Sequence, residues 1–144
     1  MIEGVQITPL KKITDSRGSV MHMLRNDSPI FKKFGEIYFS TILYDSVKAW
    51  RLHLKSTSNY ACITGKVKLV LFDHRKNSNS KGQCQELILG QENYFLVTIP
   101  KNIWKGFKGL QKGESIIANC STLPYKQDEI IRTPQDHSEI PYKW

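Results

Sequence analysis

The chain has 144 residues, of which 40% are hydrophobic and 24% charged, which fits one folded domain and excludes a disordered polypeptide. Its 21 basic and 13 acidic residues leave a formal charge of +8. The bases are scattered and only five are arginine, so the charge reads as a solvated lysine surface before it reads as a nucleic-acid groove.

In chain order, Asp15-Ser16-Arg17-Gly18 reads as a turn leading into a short strand. Residues 36–44 are rich in β-branched and aromatic side chains, too short for a good helix, and read as a strand. Residues 48–55 alternate aromatic, cationic and imidazole groups. Residues 59–63, Thr64-Gly65 and residues 66–73 form strand, tight turn and strand, with Lys66 and Lys68 marking one wet face at period two. Residues 76–82 are polar and turn-rich, an exposed loop. Two more strands, 85–89 and 94–99, flank a turn at 90–93, and Pro100 ends the second. Residues 99–110 read as a turn region whose Trp104 and Phe107 are either core aromatics or the rim of a pocket. Residues 115–120 are the last clear strand.

The tail from 125 onward closes on Ile140-Pro141-Tyr142-Lys143-Trp144, apolar where a chain end is usually polar. It is expected to be docked, over an open end of the sheets. Strands roughly 8–12 residues apart with Gly and Pro turns predict an all-β fold, a β-sandwich or jelly roll, as one domain over 1–144. No run approaches the ~18 apolar residues of a membrane span, and Met1-Ile2-Glu3-Gly4 shows no basic and apolar leader. Cys62, Cys84 and Cys120 are odd in number and lack Cys-x-x-Cys spacing. They fit small buried thiols in a reducing compartment, so the expected location is cytoplasmic.

Chemistry narrows by elimination. Arg51-Leu52-His53 puts a guanidinium, with no lone pair to offer, where the first ligand of a His-x-His metal site would stand. No Gly-x-Ser-x-Gly elbow or Gly-rich phosphate loop occurs. On a strand, Arg51, His53 and Lys55 share one face, and Trp50 and Leu52 pack on the other. The basic face either lies in water or lines a cavity for an anion. In the cavity, Arg51 and Lys55 would hold His53 neutral near pH 7, ready to accept a proton. Around Trp104, an aromatic ring can stack on a base or sugar while lysines meet phosphate. Single-strand nucleic-acid binders also interleave aromatics with lysine, but that reading ranks third.

Taken in order, the Asp-Ser-Arg-Gly turn, Phe34-Gly35-Glu36-Ile37-Tyr38-Phe39-Ser40, Val47-Lys48-Ala49-Trp50-Arg51-Leu52-His53 and Thr64-Gly65-Lys66-Val67 form one recognisable series. Phe72-Asp73-His74-Arg75, Ile99-Pro100 with Trp104-Lys105-Gly106-Phe107, and the Asp128-Glu129 to Trp144 tail continue it. The set resembles the dTDP-4-dehydrorhamnose 3,5-epimerase family of cupins, in its shorter sugar-nucleotide epimerase-like branch.

That resemblance implies a cupin double-stranded β-helix (jelly roll), usually a homodimer, with no metal or organic cofactor. It implies a 4-keto-6-deoxy sugar on a nucleoside diphosphate as substrate, in surface polysaccharide or deoxysugar biosynthesis. A histidine base removes a proton beside the ketone, cations stabilise the enolate, and a tyrosine returns a proton to the opposite face. Carried over, Asp15, Arg17 and Gly18 match the family's Asp-x-Arg-Gly, with Arg17 contacting substrate.

In an alignment on Ala49-Trp50, the first family histidine has become Arg51 and His53 survives as the base. The family's His-Gly-Phe is Lys105-Gly106-Phe107, and its tyrosine falls near Ile117 or Ala118. Tyr125 and Tyr60 are the candidate substitute acids. The expected catalytic set is therefore His53, Arg51 and Tyr125. Arg17, Lys55, Trp50, Tyr60, Trp104, Lys105, Phe107 and Asn119 are expected to bind substrate. The alternative is a ketoisomerase, or a non-catalytic relative that binds a nucleotide sugar in the same pocket.

Overall fold

The computed structural model describes residues 1–144 as twelve strands and one 3-10 turn, Gln127–Glu129. The first six strands are β1 (Gln6–Pro9), β2 (Lys12–Asp15), β3 (Gly18–Met21), β4 (Glu36–Leu43), β5 (Val47–His53) and β6 (Ser58–Thr64). The rest are β7 (Lys66–Asp73), β8 (Cys84–Gly90), β9 (Phe95–Ile99), β10 (Ile103–Gly109), β11 (Glu114–Ser121) and β12 (Ile130–Arg132). They form two five-stranded sheets, ordered β1-β9-β6-β11-β4 and β12-β5-β10-β7-β8, plus the β2–β3 hairpin. Every ladder is antiparallel. This is the jelly roll that the resemblance implies.

The two sheets close on one apolar core. Tyr60, Cys62, Val97, Ile99 and Ile117 come from the first sheet, and Val67, Leu69, Leu71, Ile103 and Phe107 from the second. Period-two alternation supplies it: on β4, residues 37, 39, 41 and 43 face out while 38, 40 and 42 face in. The Thr64-Gly65-Lys66 turn needs its glycine, which holds φ at +82° and would overlap Ser115 if it carried a Cβ.

Residues 103–109 are a complete strand, where the sequence suggested a turn. Gly106 and two lysines disguise its β character. The glycine is there for space: a Cβ would lie 2.5 Å from the Ala49 Cβ and 2.8 Å from the Trp144 ring. β1 and β12, of four and three residues, are too short to show alternation. Cys62 and Cys120 are buried as expected, but Cys84 is exposed.

The tail covers the outer face of the second sheet rather than an open end. Ile140, Tyr142 and Trp144 pack with Trp50, Val70 and Phe72, and the Trp50 and Trp144 rings sit 5.0 Å apart. The tail's return path also lays β12 beside β5. That pairing builds the site.

Candidate active site

β5 carries Trp50 outward and Arg51 and His53 inward. Trp50 is buried in the aromatic cluster under the tail, its indole N–H donating to the Gln135 carbonyl at 3.2 Å. β12 then pairs Ile130 with His53, and the 3-10 turn just before it sets Glu129 under the imidazole. One Glu129 oxygen accepts the backbone N–H groups of Lys55 (2.9 Å) and Ser56 (2.7 Å). The other lies 3.2 Å from His53 Nδ1, and Ser56 Oγ is 2.8 Å from the same nitrogen.

Facing a carboxylate, Nδ1 is held as the proton-bearing nitrogen, so the lone pair falls on Nε2. Nε2 is buried and has no protein partner. Burial opposes the Glu129 charge, but the Ser56 and Lys55 N–H groups outweigh it and hold the carboxyl below its ordinary range. Burial first, then Lys105, pulls His53 down to about 4 against the attraction of Glu129, and Arg51 adds to the fall. At neutral pH the imidazole is an uncharged acceptor.

His53 lines a hollow of about 300 Å³ with Tyr38, Arg51, Glu129 and, at its rim, the exposed Tyr125. A second hollow of about 310 Å³ adjoins it, bordered by Lys48, Trp50, Tyr60, Lys105 and Phe107. Arg51 and Arg132 line both. Lys105 pairs with Arg51 across β10 and β5 and is almost fully buried. Its Nζ donates to Ser58 Oγ at 2.9 Å and lies 5.8 Å from the centre of the Tyr60 ring. Burial, then Arg51, lowers its pKa to about 7, with Glu129 opposing. Burial raises the Tyr60 phenol well above its ordinary value, and the neighbouring Tyr38 adds to it.

Several expected residues lie elsewhere. β5 ends at His53, and after the bend Lys55 offers only its backbone N–H to Glu129 while its side chain is exposed. Lys105, reached from the neighbouring strand, stands as the inward lysine instead. Trp104 points the opposite way from Lys105 on β10, 6.0 Å from the His74 ring, and lines a separate outer cavity of about 520 Å³ with His137 and Ile140. Arg17 caps the β2–β3 hairpin, 88% exposed and paired with Asp15 at 2.7 Å, outside both hollows. Asn119 is buried, its amide donating to the Tyr38 hydroxyl at 2.9 Å.

Glu129, Ser56, Tyr38 and Arg132 were not singled out from sequence. Tyr38 and Glu129 stand in the series that carries the resemblance, but neither was given a role there. The assembled site holds a neutral base against a carboxylate, with cations on its other side. That arrangement can take a proton from an acidic C–H and stabilise the anion left behind.

Comparison with known proteins gives a consistent picture. The family model described as dTDP-4-dehydrorhamnose 3,5-epimerase matches residues 1–144. The spore coat polysaccharide biosynthesis protein SpsL of Bacillus subtilis is 30% identical over 100% of this chain and 97% of its own length. The probable low-salt glycan biosynthesis epimerase Agl13 of Haloferax volcanii is 27% identical, over 98% of this chain and 88% of its own. The crystal structure of a dTDP sugar isomerase from Desulfovibrio desulfuricans superposes with a TM-score of 0.97 at 42% identity, covering 99% of this chain and 92% of that one.

Proposed function

The chain belongs to the dTDP-4-dehydrorhamnose 3,5-epimerase family, and from that premise we propose that it epimerises a 4-keto-6-deoxy sugar carried on dTDP or another nucleoside diphosphate. The product serves surface polysaccharide or deoxysugar biosynthesis, in keeping with the polysaccharide and glycan roles named for two relatives. The observation that carries this reading is the buried His53–Glu129 pair, whose free Nε2 belongs to an imidazole lining a sugar-sized hollow.

His53 Nε2 takes the proton from a carbon next to the ketone, and the C–H electron pair moves into the enolate. Arg51 and Lys105 offset the charge that develops on the ketone oxygen. Lys48 and Arg132, at the same cavity walls, suit the diphosphate. Return of a proton to the other face re-forms the ketone. No oxidation state changes overall, so the reaction calls for no redox cofactor.

A second copy of the chain completes the proposal. β4 is an edge strand, and its outer face exposes Ile37, Phe39 and Leu43 at 49%, 62% and 61%, an apolar row suited to a homodimer contact. Arg17 lies outside its own protomer's hollows, so it touches substrate only where a partner's hairpin approaches. The cytoplasm, where nucleotide sugars are made and three free thiols stay reduced, is the fitting location.

The test is incubation with a dTDP-4-keto-6-deoxy sugar in deuterated water. Deuterium should enter the ring next to the ketone, and His53→Ala should abolish its entry. Tight binding without exchange would show a nucleotide-sugar binder instead.

A further inference from the structure

The inward face of the first sheet sets three polar side chains abreast. Asn119 on β11 is paired in register with Tyr38 on β4 and with Tyr60 on β6. The Asn119 amide has one permitted orientation. Its Oδ1 accepts the Asn59 backbone N–H at 3.0 Å, which can only donate, so Nδ2 faces Tyr38 and donates to its hydroxyl at 2.9 Å. Asn59 is fixed in turn, donating to the Cys120 carbonyl at 2.9 Å and accepting from Thr98 Oγ1 at 2.8 Å. A network across β9, β6, β11 and β4 therefore ends on one phenol.

That phenol accepts from Asn119 and has the Tyr60 hydroxyl beside it, so its own proton can be given to an acceptor in the hollow. Tyr38 lines the same hollow as His53 but comes from the opposite sheet. A sugar ring in the hollow then has the imidazole on one side and the phenol on the other. Of the six tyrosines, the two others that border the hollows, Tyr125 and Tyr60, lack this geometry. Tyr125 is 57% exposed at the rim, with no hydrogen-bonding neighbour to steady a phenolate. Tyr60 is buried in the apolar core and borders the hollow of Lys105.

We propose that Tyr38 is the general acid of the epimerisation, with Asn119 as the residue that positions its hydroxyl. The inference rests on the epimerase reading above. The Tyr38 O–H bond breaks, its proton joins the enolate carbon through the enolate's electron pair, and the C4 carbonyl re-forms. The phenolate keeps the Asn119 N–H as its donor until water reprotonates it, while His53 gives its acquired proton to solvent.

The experiment compares wild type, Tyr38→Phe, Asn119→Ser and His53→Asn with a dTDP-4-keto-6-deoxy sugar in deuterated water. Two rates are followed: deuterium entry into unreacted substrate and formation of epimer. Tyr38→Phe should keep deuterium entry within a few-fold while epimer formation falls about 100-fold or more. Asn119→Ser should lower kcat for epimer formation with KM and deuterium entry retained, a split that a merely structural loss would not produce. His53→Asn should stop both. Epimer formation by Tyr38→Phe within about threefold of wild type, or the same split in Tyr125→Phe instead, overturns the assignment of Tyr38. Absence of deuterium entry in wild type overturns the epimerase reading itself, and this inference with it.

Discussion

His53 and Glu129, 76 residues apart in the chain, meet at 3.2 Å because the three residues of β12 pair with the end of β5. The carboxylate fixes which imidazole nitrogen bears the proton. Glu129→Gln keeps an oxygen for the Lys55 and Ser56 N–H groups but turns an N–H₂ toward Nδ1. The imidazole then favours the tautomer with its proton on Nε2, where no lone pair faces substrate. Exchange of the substrate C–H should fall by about 100-fold or more, with the melting temperature little changed. Glu129→Ala, which strands two backbone N–H groups, should also lose about 1–3 kcal/mol of stability in denaturant titration.

Stability should fall as the solution is acidified through the range where His53 titrates. The folded protein holds this imidazole at about 4, against an ordinary 6.5, so the unfolded chain binds more protons between those values. The stabilisation is complete above pH 6.5 and is lost toward pH 4, at up to about 1.4 kcal/mol per pH unit. Lys105, which faces the ring and is held at about 7, is mostly protonated across this window. Glu129, itself held below 4.5, adds a loss of the same sign only at the acid end. Urea titrations from pH 7 to pH 4.5 should show the slope in wild type and a flatter profile in His53→Asn. Equal slopes would mean that the imidazole is not buried in its neutral form.

The sequence announced what depends on local pattern. Alternation marked β7, β-branched and aromatic content marked β4, and a strand with bases at 51 and 53 placed Arg51 and His53 on one face. It misplaced Lys55 because nothing local shows that β5 stops at His53. It hid β10, where Gly106 answers to the Trp144 ring rather than to β propensity. Glu129 and Tyr38 were given no role for a common reason: a carboxylate after a turn and a tyrosine in an apolar strand reach the hollow only through pairing with segments far along the chain. The buried character of Lys105 was equally non-local, since its burial comes from Ser58 and Tyr60 on the opposite sheet.

The docked tail should be a stability element separable from chemistry. Trp144 packs with its ring centre 5.0 Å from Trp50, tilted, and 5.0 Å from Tyr142, edge-on, and Trp50 neighbours Arg51 on β5. Trp144→Ala should cost roughly 2 kcal/mol, less than the ~3–5 of a fully buried tryptophan, because the ring is only half-buried. Thermal unfolding monitored by fluorescence checks this. At temperatures where the variant is folded, kcat should stay within a few-fold, since no hollow-lining side chain is removed. A large loss of kcat without a loss of stability would make the tail part of the site.

Lys105 should trade stability for activity. A nearly fully buried ammonium beside a guanidinium is a destabilising arrangement, and its depressed pKa of about 7, against 10.5, measures the same penalty. The unfolded chain therefore holds more protons than the folded one between pH 7 and 10.5, so wild-type stability should rise with pH through that window. Lys105→Met removes the charge while keeping most of the stem volume. At pH 7 it should stabilise the protein by about 1–4 kcal/mol, as replacing buried ions by apolar groups often does, less the cost of leaving Ser58 Oγ unpartnered. The rise in stability above pH 7 should vanish with it. Epimerisation should nevertheless fall by about 100-fold, through kcat more than KM, because the cation counts most once charge develops on the ketone oxygen. A variant both less stable and fully active would place the ammonium outside the reaction and leave Arg51 alone to offset the enolate.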